Sequence, residues 1–391
     1  MPALLLLEGF ELHDTYNFDT YYKMQSYMGC AKVEDDTTTT LNGSTGDYVG
    51  ADSAESRISG GRSWAIKRAD TTGKNATHWV RTHFDHAPRG RVCVGFGWKS
   101  SEVPAATDTA YPLFAFNYST QFGNEEQLGI WVTPQGGIFC ADENMTEDQT
   151  EQSGPTPIGV TVSSSKEIVH GQWNYMEVDL NLLTDTPQLH VKVNNRTVID
   201  FVQSADLQKL ATALITNFAF IAPPMNYFTG ATSLDFYFDD IYAQVTNEAD
   251  ADMMLGPQQI IGLLNGGGTG NGLLSSAPPQ RFSGPATGPT QDDFTKFNTQ
   301  YFEVDDPDVT IPTISGVAAT VIAYPASGLV DVTVGVADTV EEEQQTFTSA
   351  AGGSAGPVTA RFTTNDPPGN LTLDGAGLAD VGVSLALQSF V

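Results

Sequence analysis

The sequence predicts an all-β protein of two sandwich domains joined by a Gly/Pro-rich linker. Apolar residues recur with a period of two through most of the chain, the spacing of strands with one buried face. Glycine (38) and proline (21) are frequent enough to supply many turns. With 391 residues, 40% of them hydrophobic and 10% aromatic, the chain is long and apolar enough for two or three cored domains.

The individual elements follow from local pattern. Leu189-His190-Val191-Lys192-Val193 and Thr197-Val198-Ile199-Asp200-Phe201 alternate around Asn194-Asn195-Arg196. Asn tolerates left-handed backbone angles, so this is a hairpin. Leu234 to Val245 is an aromatic-rich strand whose alternation slips at Asp239-Asp240, which predicts a bulge there. Further strands are expected at 63–68, 77–84, 91–98, 113–118, 128–132 and 173–180. One helix is expected over 204–215, with Ser204 as its cap and Leu207, Leu210, Ala211 and Leu214 at helical spacing.

After Val245 the composition shifts. Residues 1–248 form the expected first domain and 249–292 a linker or arm rich in Gly, Pro and Ser, including Asn265-Gly266-Gly267-Gly268-Thr269-Gly270. Such a stretch buries too little apolar surface to offset its ordering entropy, although Ile260-Ile261-Gly262-Leu263-Leu264 offers a patch for docking on a neighbour. A second β domain is expected over 293–391, with strands at 316–324, 329–336, 361–363 and 381–387 and a turn at Asp366-Pro367-Pro368-Gly369-Asn370.

Charge excludes some functions. The formal net charge is −29, from 18 Lys+Arg against 47 Asp+Glu. That surface repels nucleic-acid phosphates and anionic membranes, so neither is an expected partner. It favours solubility at high local concentration, as display in many copies requires. The N-terminal Met1-Pro2-Ala3-Leu4-Leu5-Leu6-Leu7 lacks the basic start and length of a signal peptide, and no apolar stretch approaches the ~18 residues of a membrane span, so synthesis without signal-peptide export is expected. Cys30, Cys93 and Cys140 have no paired spacing and are expected as free thiols, with Cys93 and Cys140 in apolar runs.

Three stretches, in order, resemble the concanavalin A-like (laminin-G-like) jelly roll found in many tailed-phage virion proteins. They are Leu7-Glu8-Gly9-Phe10-Glu11, Gly60-Gly61-Arg62-Ser63-Trp64-Ala65-Ile66, and the succession from His170-Gly171-Gln172-Trp173-Asn174-Tyr175 through the hairpin to Phe238-Asp239-Asp240-Ile241-Tyr242. The C-terminal stretch resembles a β module often attached to it in phage proteins, on Ile314-Ser315-Gly316-Val317-Ala318-Ala319, Thr363-Thr364-Asn365-Asp366-Pro367 and the ending Gly377 to Val383. Leu371-Thr372-Leu373 stands where that module usually has a Trp. The resemblance implies a virion location and a jelly-roll fold and does not settle head versus tail. Together with the acidity and the lack of a complete catalytic set, it leads to the expectation of a capsid-decorating or tail-attached role, with other virion proteins and further copies of this chain as partners.

No catalytic set is complete in the sequence. Glu177-Val178-Asp179-Leu180-Asn181 supplies two carboxylates of the glucanase pattern, but Asn181 and Leu182 stand where its acid belongs. Glu177 and Asp179 are accordingly expected on a solvated strand face. Gly352-Gly353-Ser354-Ala355-Gly356 fits the nucleophile-elbow pattern but sits in a small-residue loop before Pro357, and is expected as a hairpin tip. His78, His83 and His86 do not share a strand face. Glu341-Glu342-Glu343 is expected as an exposed turn. Calcium is the one cofactor left open, through Asp239-Asp240, Glu248-Ala249-Asp250-Ala251-Asp252 or Asp305-Asp306-Pro307-Asp308. Aromatic stacking on sugars is weighed for Tyr16, Tyr21, Tyr22, Tyr27, Tyr111, Tyr118, Phe122 and Trp131, against core packing for Trp64, Trp98, Trp131 and Trp173. The expected function is a non-enzymatic virion structural protein with no catalytic, cofactor or metal residues assigned. The alternatives are a module binding a host-surface glycan and, behind it, a cryptic glycoside hydrolase.

Overall fold

In the computed structural model the chain divides into two compact units, Met1–Ile260 and Ile261–Val391. The structure describes residues 3–8, 32–35, 48–52, 55–57, 63–68, 78–83, 90–119, 125–141, 167–184, 187–202, 210, 213–223, 225–249 and 252–257 of the first unit. In the second it describes 295–296, 316–323, 329–337, 342–349, 356–363 and 382–390.

Unit 1 is an antiparallel jelly-roll sandwich. In chain order its strands are β1 (Ala3–Glu8), β2 (Lys32–Asp35), β3 (Tyr48–Asp52), β4 (Ser63–Arg68), β5 (His78–His83), β6 (Arg91–Ser100), β7 (Tyr111–Ser119), β8 (Glu125–Val132), β9 (Ile138–Ala141), β10 (Asn174–Asn181), β11 (Gln188–Val193), β12 (Arg196–Val202), β13 (Leu214–Ala222) and β14 (Leu234–Thr246). Sheet A is eight-stranded, in the order β12-β11-β10-β6-β14-β4-β3, with β1 also on β14. Sheet B is six-stranded, in the order β2-β5-β13-β7-β8-β9.

Alternation decides which side chains meet between the sheets. Val92, Val94, Phe96 and Trp98 of β6, Met176, Val178 and Leu180 of β10, and Phe236 and Phe238 of β14 are buried in one core with Phe114 and Phe116 of β7 and Phe218 and Phe220 of β13. Phe96 is the contact between layers. Its ring lies 5.3 Å from Phe114 and 5.1 Å from Phe220 across the gap, and 6.1 Å from Phe238 in its own sheet.

The β11–β12 hairpin forms as its sequence predicts. Val193 pairs with Arg196, leaving a two-residue loop in which Asn194 (φ 47°) and Asn195 (φ 68°) are both left-handed. Asn194 Oδ1 also accepts the Tyr175 N–H at 2.8 Å, tying the turn to β10. The bulge in β14 is present too: the register with β6 shifts between Asp239 and Tyr242, and Asp240 has φ 49°.

Several expectations are corrected. Leu214 and Ile215, placed in a helix by spacing, open β13 instead, and Ile215 is fully buried; residues 203–209, 211 and 212 lie outside the described residues. Tyr111 and Tyr118, weighed for sugar stacking, are buried in the core, as is Trp131, for which core packing is expected. Trp64 and Trp98 pack in the core as expected, whereas Trp173 is half-buried. Tyr16, Tyr21, Tyr22, Tyr27 and Phe122 lie outside the described residues. Cys93 and Cys140 are buried free thiols, as expected; Cys30 lies outside the described residues.

Unit 2 contains β15 (Thr295–Lys296), β16 (Gly316–Ala323), β17 (Leu329–Ala337), β18 (Glu342–Ser349), β19 (Gly356–Thr363) and β20 (Gly382–Phe390). They form a four-stranded sheet, β15-β20-β17-β18, and a two-stranded sheet, β16-β19. Glu342 and Glu343 are therefore not a turn: they open β18, opposite Ala337 and Val336. Ser354, expected at a hairpin tip, lies outside the described residues; β18 and β19 on either side of it belong to different sheets.

Because Phe96 touches aromatics of both layers, Phe96→Ala is expected to destabilise unit 1 by about 3–5 kcal/mol. Denaturant unfolding of the variant against the parent chain measures this.

Candidate functional site

The outer face of sheet A, turned away from the core, gathers the buried carboxylates among the described residues, Glu177, Asp179, Asp239 and Asp240. Strand register sets side chains there in transverse rows. One row runs Thr197, Lys192, Glu177, Gly95, Tyr242 across β12, β11, β10, β6 and β14. A second runs Asp200, His190, Asp179, Cys93, Gln244. A third joins Tyr175, Gly97 and Asp239.

Glycines on β6 make the floor. A Cβ on Gly95 would stand 2.1 Å from the Tyr242 ring, and one on Gly97 would stand 2.4 Å from Arg57 Cδ. Their bare backbone lets the Tyr242 ring and the Arg57 side chain lie against the sheet. The Arg57 guanidinium also sits 4.8 Å above the Tyr175 ring, a cation–π contact.

The stretch after β14 crosses this floor as a strap. Met253 is fully buried and packs with Cys93, Tyr175 and Tyr242, with Met254 and Leu255 alongside. Backbone bonds fasten both ends. Arg91 Nη1 and Asn181 Nδ2 donate to the Ala249 carbonyl at 2.8 and 3.1 Å. The Leu255 N–H donates to Tyr242 Oη at 3.1 Å, and the Gly256 N–H to Glu177 Oε1 at 2.8 Å. Of the expected linker, Ala249 and Met253 to Gly256 thus pack on unit 1; the 260–264 patch lies outside the described residues.

Glu177 and Asp179 are each only 1% exposed, which corrects the expectation of a solvated strand face. A buried carboxylate needs donors, and each has them. Glu177 Oε1 accepts the Tyr242 hydroxyl at 2.5 Å besides the Gly256 N–H. Burial pushes the Glu177 carboxyl above its usual range, and those two hydrogen bonds oppose the rise. Asp179 accepts Arg91 Nε at 2.9 and 3.0 Å and Arg91 Nη2 at 2.5 Å. That bond is the main reason the Arg91 guanidinium is held above its ordinary value. Burial drives the Cys93 thiol and the Tyr242 phenol well upward, so both stay protonated at neutral pH.

The bulge residues, weighed as calcium ligands, are engaged by Arg57. Its N–H donates to Asp239 Oδ2 at 2.9 Å, and its Nη1 pairs with Asp240 Oδ2. Burial, and then the neighbouring Asp240 charge, hold Asp239 well above the ordinary carboxylate range. Among the described residues no group of three or more His, Cys, Asp or Glu side chains is placed to hold a metal. Asp250 and Asp305 to Asp308 lie outside them, as does His86.

Beside the strap the face opens into a cleft of about 350 Å³, lined by Arg91, Asp179, His190, Lys192, Thr197, Asp200, Asp252 and Met254. His190 Nδ1 lies 2.9 Å from Asp200 Oδ1. Of the cleft's polar residues, only Asp252, for calcium, and Asp179, in an incomplete glucanase pattern, are weighed from the sequence, and neither is assigned to a site. The available signal was the run of polar residues at alternate positions in β10 and β11, which also fits a solvated strand.

No family model matches the chain, and no curated protein matches it. Among solved structures it is similar to the alginate lyase Aly36B, at 14% identity and TM-score 0.39, over 61% of this chain and 95% of that one. It is also similar to the alginate lyase vAL-1 from Chlorella virus, at 13% identity and TM-score 0.33, over 52% and 90%. A third is a structure of botulinum neurotoxin type C from work on its interaction with two ganglioside molecules, at 9% identity and TM-score 0.33, over 56% and 44%. At these identities the likeness concerns the fold. The expectation that the chain is not an enzyme is corrected here, because lyases stand among these structures.

Gly95→Ala is expected to displace the Tyr242 ring and free the strap. Amide hydrogen exchange at Leu255 and Gly256 is then faster by about tenfold or more, as local opening costs less. Unchanged exchange at both amides would show that the glycine floor does not hold the strap.

Proposed function

We propose that unit 1 is a glycan-binding module and that the cleft beside the β11–β12 hairpin is its binding site. The carrying observation is the cleft's lining. Arg91, His190 and Lys192 offer donors, Asp200 and Asp252 offer acceptors, Thr197 offers both, and the buried Asp179 holds Arg91 in place. Met254 adds a polarisable apolar surface. A sugar presents hydroxyls that donate and accept around apolar C–H faces, and this mixed wall matches it. A phosphate backbone needs a wall dominated by cations, and a lipid needs a mainly apolar one.

The test is a glycan array with the full chain, followed by titration of the best ligand. Saturable binding is expected. Lys192→Ala, which removes a charged donor, is expected to weaken it by about tenfold or more while leaving the melting temperature unchanged. A blank array would contradict the reading. A reducing-end assay on the bound glycan distinguishes retention from cleavage.

A second reading concerns place. The motif order from Leu7-Glu8-Gly9-Phe10-Glu11 to Phe238-Asp239-Asp240 supports a surface component of a tailed-phage particle, associated with capsid or tail subunits and with further copies of this chain. The net charge of −29 suits display in many copies. Mass spectrometry of purified particles detects the chain if this holds, and its absence from them removes the reading.

A further inference from the structure

Building on the glycan reading, we propose that the cleft selects sugars without negative charge, neutral or amino-bearing chains, and that Asp252 is the residue that sets this selectivity. The argument is a charge account of the cleft. Asp179 is held by Arg91 Nε at 2.9 and 3.0 Å, so the two largely cancel. Asp200 is hydrogen-bonded with His190 Nδ1 at 2.9 Å. Lys192 stands opposite Glu177 in the register, and its charge favours the Glu177 carboxylate.

Asp252 is the cleft carboxylate to which no side chain of the described residues hydrogen-bonds. It is exposed, it lies on the strap, and its Oδ1 accepts a long 3.4 Å bond from the Met254 N–H. Among the described residues no cation forms an ion pair with it, and the Arg91 charge that acts on it through space is already held by Asp179. The cleft wall therefore carries three carboxylates, Asp179, Asp200 and Asp252, against two permanent cations, Arg91 and Lys192. A carboxylated or sulfated sugar enters against that excess. A hydroxyl finds spare carboxylate oxygens, and an ammonium gains a charge-assisted bond. At longer range the net charge of −29 acts in the same direction.

The test is titration calorimetry of the full chain with three tetrasaccharides: glucosamine, N-acetylglucosamine and a uronic acid. The glucosamine chain is expected to bind about fivefold or more tighter than the uronate, the size of one unit-charge contact in water, with the N-acetylated chain between them. The gap narrows as salt is raised, because exposed charges are screened. Asp252→Asn is expected to narrow the gap and Asp252→Lys to reverse it, both at an unchanged melting temperature. Tightest binding of the uronate by the parent chain, or a gap indifferent to Asp252→Lys, would overturn the selectivity and leave glycan binding standing. Failure of all three to bind, together with a blank array, would remove both.

Discussion

A carboxylate with almost no solvent exposure must be met by donors, and Glu177 imposes that requirement on the outer face of sheet A. Its partners come from distant parts of the chain. Tyr242 lies 65 positions on and Gly256 79 positions on. Satisfying one side chain on β10 thus fixes the ring of a β14 residue and the path of the strap that follows β14. The ring lies flat because Gly95 leaves room for it, and the strap stays down because Met253 fills the space beside Cys93, Tyr175 and Tyr242.

The cleft is a consequence of that arrangement. Where the strap crosses β10 and β6 the polar row is covered, and toward β11 and β12 it stays open. Arg91 works on both sides of this boundary, holding the Ala249 carbonyl under the strap and Asp179 in the cleft wall. Asp252 and Met254, from the strap itself, complete the wall. The cleft's shape is therefore coupled to the buried Glu177–Tyr242 pair by a short, hydrogen-bonded stretch of backbone. The site owes its position to sheet register, and its charge balance to which carboxylates find a cation.

Local signals in the sequence were the readable ones. The β11–β12 hairpin depends on Asn194 and Asn195 taking left-handed angles between two alternating runs, and those residues announce it. The β14 bulge shows as a slip in alternation at Asp239-Asp240. Long-range facts were not legible. Leu207, Leu210, Ala211 and Leu214 carry helical spacing, yet Leu214 opens β13, whose neighbours β5 and β7 come from far earlier in the chain. Tertiary pairing overrode local spacing there. Glu177 and Asp179 alternate with apolar residues and read as solvent-facing, because nothing near them in sequence reveals the strap that covers them. The same holds for Asp239 and Asp240: their partner Arg57 is 182 and 183 positions away, so an ion-paired bulge reads as a calcium candidate.

A crystal structure of the full chain with the oligosaccharide that binds it most tightly tests the central claim most directly. The account predicts a sugar ring seated between Lys192 and Asp252, in contact with Met254, with the Glu177–Tyr242 hydrogen bond intact beneath the strap. A sugar bound instead on sheet B or on unit 2, with the cleft of sheet A untouched, would contradict it.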